Sequence, residues 1–146
     1  ALSQGFRLEY DLTIAKAMKL NGLQFSVNLP VEGCAGQDVQ IVPASGETRL
    51  VPLPKEQPAA GRFQLWSGQG AKVEVAKGTP SALTVELRAA TDVVVQDLRQ
   101  WGQPVFEIRL PALTEEAGYE LAAGERFHLD VIVTFAAPVK LAGPGE

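Results

Sequence analysis

Alternation with period two constrains this chain more than any other feature. Between residues 6 and 14 the apolar set is Phe6, Leu8, Tyr10, Leu12 and Ile14, with Arg7, Glu9, Asp11 and Thr13 between them. Successive side chains of an extended strand point to opposite faces, so this spacing predicts a long strand with one wet face. The rhythm returns in Leu23, Phe25, Val27 and Leu29, where Pro30 stops it. It is equally long in Phe127, Leu129, Val131, Val133 and Phe135, where Ile132 interrupts the polar side. Shorter runs carry Val39 and Ile41, residues 49–53, Phe63 and Leu65, Val73 and Val75, Leu83 to Leu87, Val93 and Val95, and Phe106 to Leu110.

Turn chemistry punctuates these runs. Asn21-Gly22 is a strong hairpin signal because both residues tolerate positive φ. Ser45-Gly46-Glu47, Ser67-Gly68-Gln69-Gly70, Gly78-Thr79-Pro80, Gly102-Gln103-Pro104 and Ala123-Gly124-Glu125 read as further turns. Turns about every 8–12 residues are the spacing of a sandwich or barrel. Only 15–20 and 114–118 could hold a helical turn, and no βαβ rhythm exists. The expectation is an all-β, mostly antiparallel β-sandwich, jelly-roll-like, of roughly ten strands. Phe25, Val27, Leu65, Val85, Phe106, Ile108, Leu129, Val131 and Val133 are expected to share its core. With 146 residues the chain suits one domain, read as 5–141, followed by a small, Pro/Gly-rich, linker-like tail at 142–146.

Composition narrows the function classes. Hydrophobic residues are 46% and charged residues 21%, the balance of a globular domain and not of a disordered tail. A net charge of −4 argues against a nucleic-acid partner, whose binder shows a basic face. No apolar stretch reaches the roughly 18 residues of a membrane-spanning helix. Cys34 is the single cysteine, so no internal disulfide can form. The first residues, Ala1-Leu2-Ser3, carry neither an initiator Met nor a signal segment. We read the chain as a module of a larger exported protein, extracellular or periplasmic.

The inventory for chemistry is poor. One His and one Cys, far apart in sequence, cannot build the usual zinc site. No EF-hand loop or phosphate-binding loop is present. No cofactor is expected, although a structural calcium held by scattered loop oxygens has no fixed spacing and stays open. His128, with Asp130 two residues on, reads as an exposed strand histidine and not as the base of a triad. Cys34 has no neighbouring cation to activate it. Asp92 with Asp97, or Glu115 with Glu116, are read as solvated charges and not as an acid–base pair. No catalytic residue and no metal ligand is assigned, and the isolated chain is expected to be no enzyme.

The tryptophans are more informative. Trp66 follows Leu65 and so leaves the inward parity, and Trp101 sits beside the turn at Gly102. Each has two readings. The indole is either a flat platform for a pyranose or a lid closing one end of the sandwich. On the platform reading Gln69, Arg99 and Gln103, which flank the same turns, supply hydrogen bonds to sugar hydroxyls.

The segment Asp97-Leu98-Arg99-Gln100-Trp101-Gly102-Gln103-Pro104-Val105-Phe106-Glu107-Ile108-Arg109, then Ala123-Gly124-Glu125 and the long last strand, resembles β-sandwich accessory domains of bacterial polysaccharide-degrading enzymes. The resemblance covers the C-terminal third and carries no fixed set of binding residues. It implies a non-catalytic module that binds polysaccharide or supports a neighbouring catalytic domain. Two alternatives stand beside it: a structural or assembly domain holding protein partners at the cell surface or periplasm, and an ancillary domain of a glycoside hydrolase whose active site lies elsewhere.

Overall fold

A computed structural model describes residues 4–137, with backbone only at 111–117. The tail, the last residues of the expected domain and the Glu115–Glu116 side chains lie outside that description. The fold is all-β and antiparallel. Its strands are β1 (Gly5–Thr13), β2 (Met18–Pro30), β3 (Asp38–Val42), β4 (Arg49–Pro52), β5 (Gln64–Val75), β6 (Leu83–Asp97), β7 (Val105–Leu121) and β8 (Arg126–Phe135). A tight turn at Val31–Cys34, non-helical at Glu32 (ψ 116°) and Gly33 (φ 90°), and a 3-10 turn, Arg99–Trp101, complete the described elements.

Among the described residues eight strands stand where roughly ten were expected, because several turn signals are irregularities inside longer strands. Asn21-Gly22 does not reverse the chain. It marks a register shift within β2, between Leu20 and Gly22, against β7. Ser67–Gly70 is likewise no turn, since β5 runs straight through it. The two runs around Val85 and Val95 are one strand, β6. Residues 114–118 continue β7 and form no helical turn. Glycine permits a turn but does not impose one, and a ladder on both sides holds the backbone extended. Ser45-Gly46-Glu47 does turn the chain, with Gly46 at φ 98° between the paired β3 and β4.

The sheet branches at β6. One edge of β6 pairs with β5. Its other partners are β8, along Leu83–Leu87, and β7, along Val94–Asp97. β1 joins β8 and β2 joins β7, so two arms diverge from one strand. Between the arms Ala71 of β5 stands opposite Leu87, Arg88, Ala89 and Ala90 of β6. Bulges of this kind let a strand pass from one layer to another, which is how sandwich corners are made.

The core is a single cluster that includes Val39, Ile41, Val73, Val85, Val93, Val95, Phe106, Ile108, Leu110 and Val131. Six of the nine expected core residues are buried in it: Val85, Phe106, Ile108, Leu129, Val131 and Val133. Phe25, Val27 and Leu65 are only half-buried against its margin. Phe6, which has inward parity, is 45% exposed because it lies on an edge strand, where its ring lies 6.3 Å from that of Phe135.

Candidate functional site

Strand parity builds the site. On β7, Phe106 and Ile108 point into the core, so Glu107 and Arg109 point out. Register places Gln96 of β6 and Asn28 of β2 beside Glu107, and Val94 and Ser26 beside Arg109. This outer face is polar and internally bonded. Glu107 Oε1 accepts from Ser26 Oγ at 2.9 Å, and Glu107 Oε2 accepts from Arg109 Nε at 2.7 Å.

The β6–β7 connection lies across the end of this face. The Trp101 amide donates to Leu98 O at 3.0 Å and Gly102 to Arg99 O at 2.9 Å, with Gly102 at φ 75°. The result is a tight turn that lifts Trp101 out of the sheet. Trp101 is 54% exposed, yet its indole stands edge-on to Phe63 with ring centroids 4.7 Å apart. Phe63, Gln96, Leu98, Trp101, Gln103 and Arg109 line an open cleft of about 310 Å³.

Arg99 holds that turn in place. Its guanidinium reaches both oxygens of Asp97, the closest contact being 2.6 Å, and donates to the carbonyls of Pro54, Lys55 and Glu56 at 2.8–3.0 Å. It also lies over the Phe106 ring, 5.3 Å from the centroid. Gln100 Oε1 accepts from the Gly61 amide at 3.2 Å. Asp97 is 1% exposed, and a buried carboxylate survives there because a paired, hydrogen-bonded cation offsets its desolvation. The hydrogen bond to Asp97, the largest cause, raises the Arg99 pKa above its ordinary value.

The five residues expected at a binding site therefore separate. Trp101 and Gln103 meet in the cleft. Arg99 is spent on Asp97 and the 54–56 carbonyls, behind the turn. Gln69 donates to Asp92, the residue directly opposite it. Trp66 packs against the core and lines no part of the cleft. The bulge at Ala71 reverses parity along β5, so Trp66, Gly68 and Gly70 share the inward side with Val73 and Val75. The indole covers Gly68 so closely that a methyl group there would stand 2.6 Å from Cζ2. Gln96 and Arg109 were not among the expected site residues. The signal for Arg109 lies in Val105-Phe106-Glu107-Ile108-Arg109, where alternation assigns Glu107 and Arg109 to the wet face.

Other chemistry-bearing groups are committed elsewhere. Asp130 accepts from Arg7 at 2.7 and 2.8 Å and pairs with Arg88 at 2.6 Å, binding β1, β8 and β6 together. The Arg7 hydrogen bond, above all, lowers the Asp130 pKa. Ligand atoms of Glu9, His128 and Asp130 come within 4.8 Å of one another. A cation there would compete with two arginines for Asp130, and His128 Nδ1 already lies 2.8 Å from Asp11. Burial raises the Cys34 pKa, which keeps the thiol protonated at neutral pH. A larger cleft of about 380 Å³ opens between the two arms, lined mainly by Tyr10, Leu23, Leu87, Phe127 and Leu129. Its charged rim, Arg88 with Asp130, is the ion pair just described, so it offers few free polar groups.

Among the described residues no helix is long and apolar enough to cross a membrane. No family model, curated protein or solved structure matches the chain.

Proposed function

We propose that the chain is a non-catalytic carbohydrate-binding module, with the cleft at Trp101 as its saccharide site. One observation carries the reading: an indole more than half exposed, fixed edge-on against Phe63, opens onto amide and guanidinium groups on the neighbouring strand face. A pyranose presents an apolar face of C–H groups and a rim of hydroxyls. It matches a flat aromatic surface beside hydrogen-bonding groups. Prior fixation also matters, because a side chain already ordered loses little entropy on binding.

In this reading the module stands beside a catalytic domain on an exported polypeptide and holds it near its polymer. Gln96, Gln103 and Arg109 take the hydroxyl-binding role. A stacked indole contributes about 1–3 kcal/mol, by analogy with aromatic stacking on bases. Electrophoresis through gels containing soluble polysaccharides, acidic and neutral, tests the proposal. At least one polymer retards the wild-type chain, and Trp101→Ala removes most of the retardation. Retardation by no polymer, or retardation unchanged in Trp101→Ala, overturns it.

A second reading, a domain that assembles with protein partners, draws support from the open edge at β4, where Leu50 is exposed.

A further inference from the structure

We infer that the Trp101 cleft takes an acidic saccharide: a hexuronate whose ring lies on the indole and whose carboxylate is held by the guanidinium of Arg109. This rests on the saccharide reading above and adds the charge of the ligand. Among the described residues lining the cleft, Arg109 alone is ionised; the others are Phe63, Leu98, Trp101 and two glutamines. The Arg109 Nε donates to Glu107 Oε2 at 2.7 Å. Its two Nη groups have no hydrogen-bonding partner among the described residues.

That division of the guanidinium sets the charge of the ligand. The group carries five N–H donors in one plane, and its two Nη atoms together match the two oxygens of a carboxylate. Anchoring through Nε fixes the plane before a ligand arrives, and leaves the end-on pair for it. Hydroxyls alone would be served by Gln96 and Gln103. A carboxylate is the substituent of a pyranose that uses the charge as well as the donors.

Two opposing fields are present. Glu107 is close, but Ser26 and Arg109 occupy its two oxygens and its side chain is nearly buried. The net charge of −4 is spread over the chain, and charges beyond about 8 Å are screened at physiological salt. Neither cancels a bidentate contact made inside the cleft.

The test is calorimetric titration of the chain with oligomers of galacturonate, mannuronate and guluronate, and with the same oligomers after reduction of the carboxyls to alcohols. Arg109→Lys keeps a cation for Glu107 while removing the fork. At least one uronide should bind tenfold or more tightly than its reduced form, and Arg109→Lys should erase that preference. Equal binding of acidic and reduced forms, or a preference that survives Arg109→Lys, overturns the inference. Equal binding that is lost in Trp101→Ala leaves the saccharide reading standing while removing this one. Binding of neither set overturns this inference, and the saccharide reading then stands or falls on the gel retardation alone.

Discussion

Trp66 and Trp101 occupy similar sequence settings, each beside glycine and glutamine, yet their surroundings are opposite. Trp66 lies within β5, pressed onto Gly68 and the core. Trp101 lies on a 3-10 turn between strands, exposed and braced by Phe63. The difference comes from what the neighbouring backbone can pair with. Residues 66–70 find β6 alongside and stay extended, whereas 98–104 join two strands, must turn, and carry the indole outward. A glycine-rich tetrapeptide is thus an ambiguous signal until its hydrogen-bonding partner is known.

Breaking the support of the exposed indole should have the largest effect. Arg99→Ala leaves Asp97 buried and unpaired, and removes the ties to 54–56. A loss of about 3–5 kcal/mol in denaturant unfolding is expected. A loss below about 1 kcal/mol, within the range of exposed pairs, would show that Arg99 does not hold the turn. Next comes Trp66→Ala, expected to cost about 2–3 kcal/mol, less than a fully buried indole because Trp66 is only half-buried. Gly68→Ala should cost about 1–3 kcal/mol by displacing the same indole. Combined with Trp66→Ala the Gly68→Ala penalty should shrink, since the clash is gone, and a double-mutant cycle reads that coupling. The smallest stability change belongs to Trp101→Ala, about 1 kcal/mol or less, because it removes one edge-on contact with Phe63. A sharp fall in melting temperature for Trp101→Ala would make that indole a lid and withdraw the contrast.

Much of the fold was legible because alternation is a direct image of the strand. It assigned Phe106, Ile108, Val131 and Val133 to the core without reference to partners. What it could not show was continuity. Asn21-Gly22 and Ser67–Gly70 read as turns because a local pattern carries no information about the ladders that flank it. The bulge at Ala71 is equally silent in sequence, and it reversed the parity on which Leu65 and Trp66 had been placed. At the candidate site Trp101 and Gln103 were legible from their turn. The charge of Arg99 is visible in sequence, but the carbonyls of Pro54 to Glu56 that occupy it come from a distant segment. Gln96 and Arg109 needed the β6–β7 register to be joined to that turn.

The chain has two tryptophans, so it has two indole N–H groups, and each reports separately in a proton–nitrogen correlation spectrum. Assigning them with Trp66→Phe and Trp101→Phe, then titrating a bound uronide or neutral oligosaccharide, tests the division of roles most directly. The Trp101 signal should shift progressively to saturation while the Trp66 signal stays in place. A saturable shift of the Trp66 signal with Trp101 unmoved would contradict it.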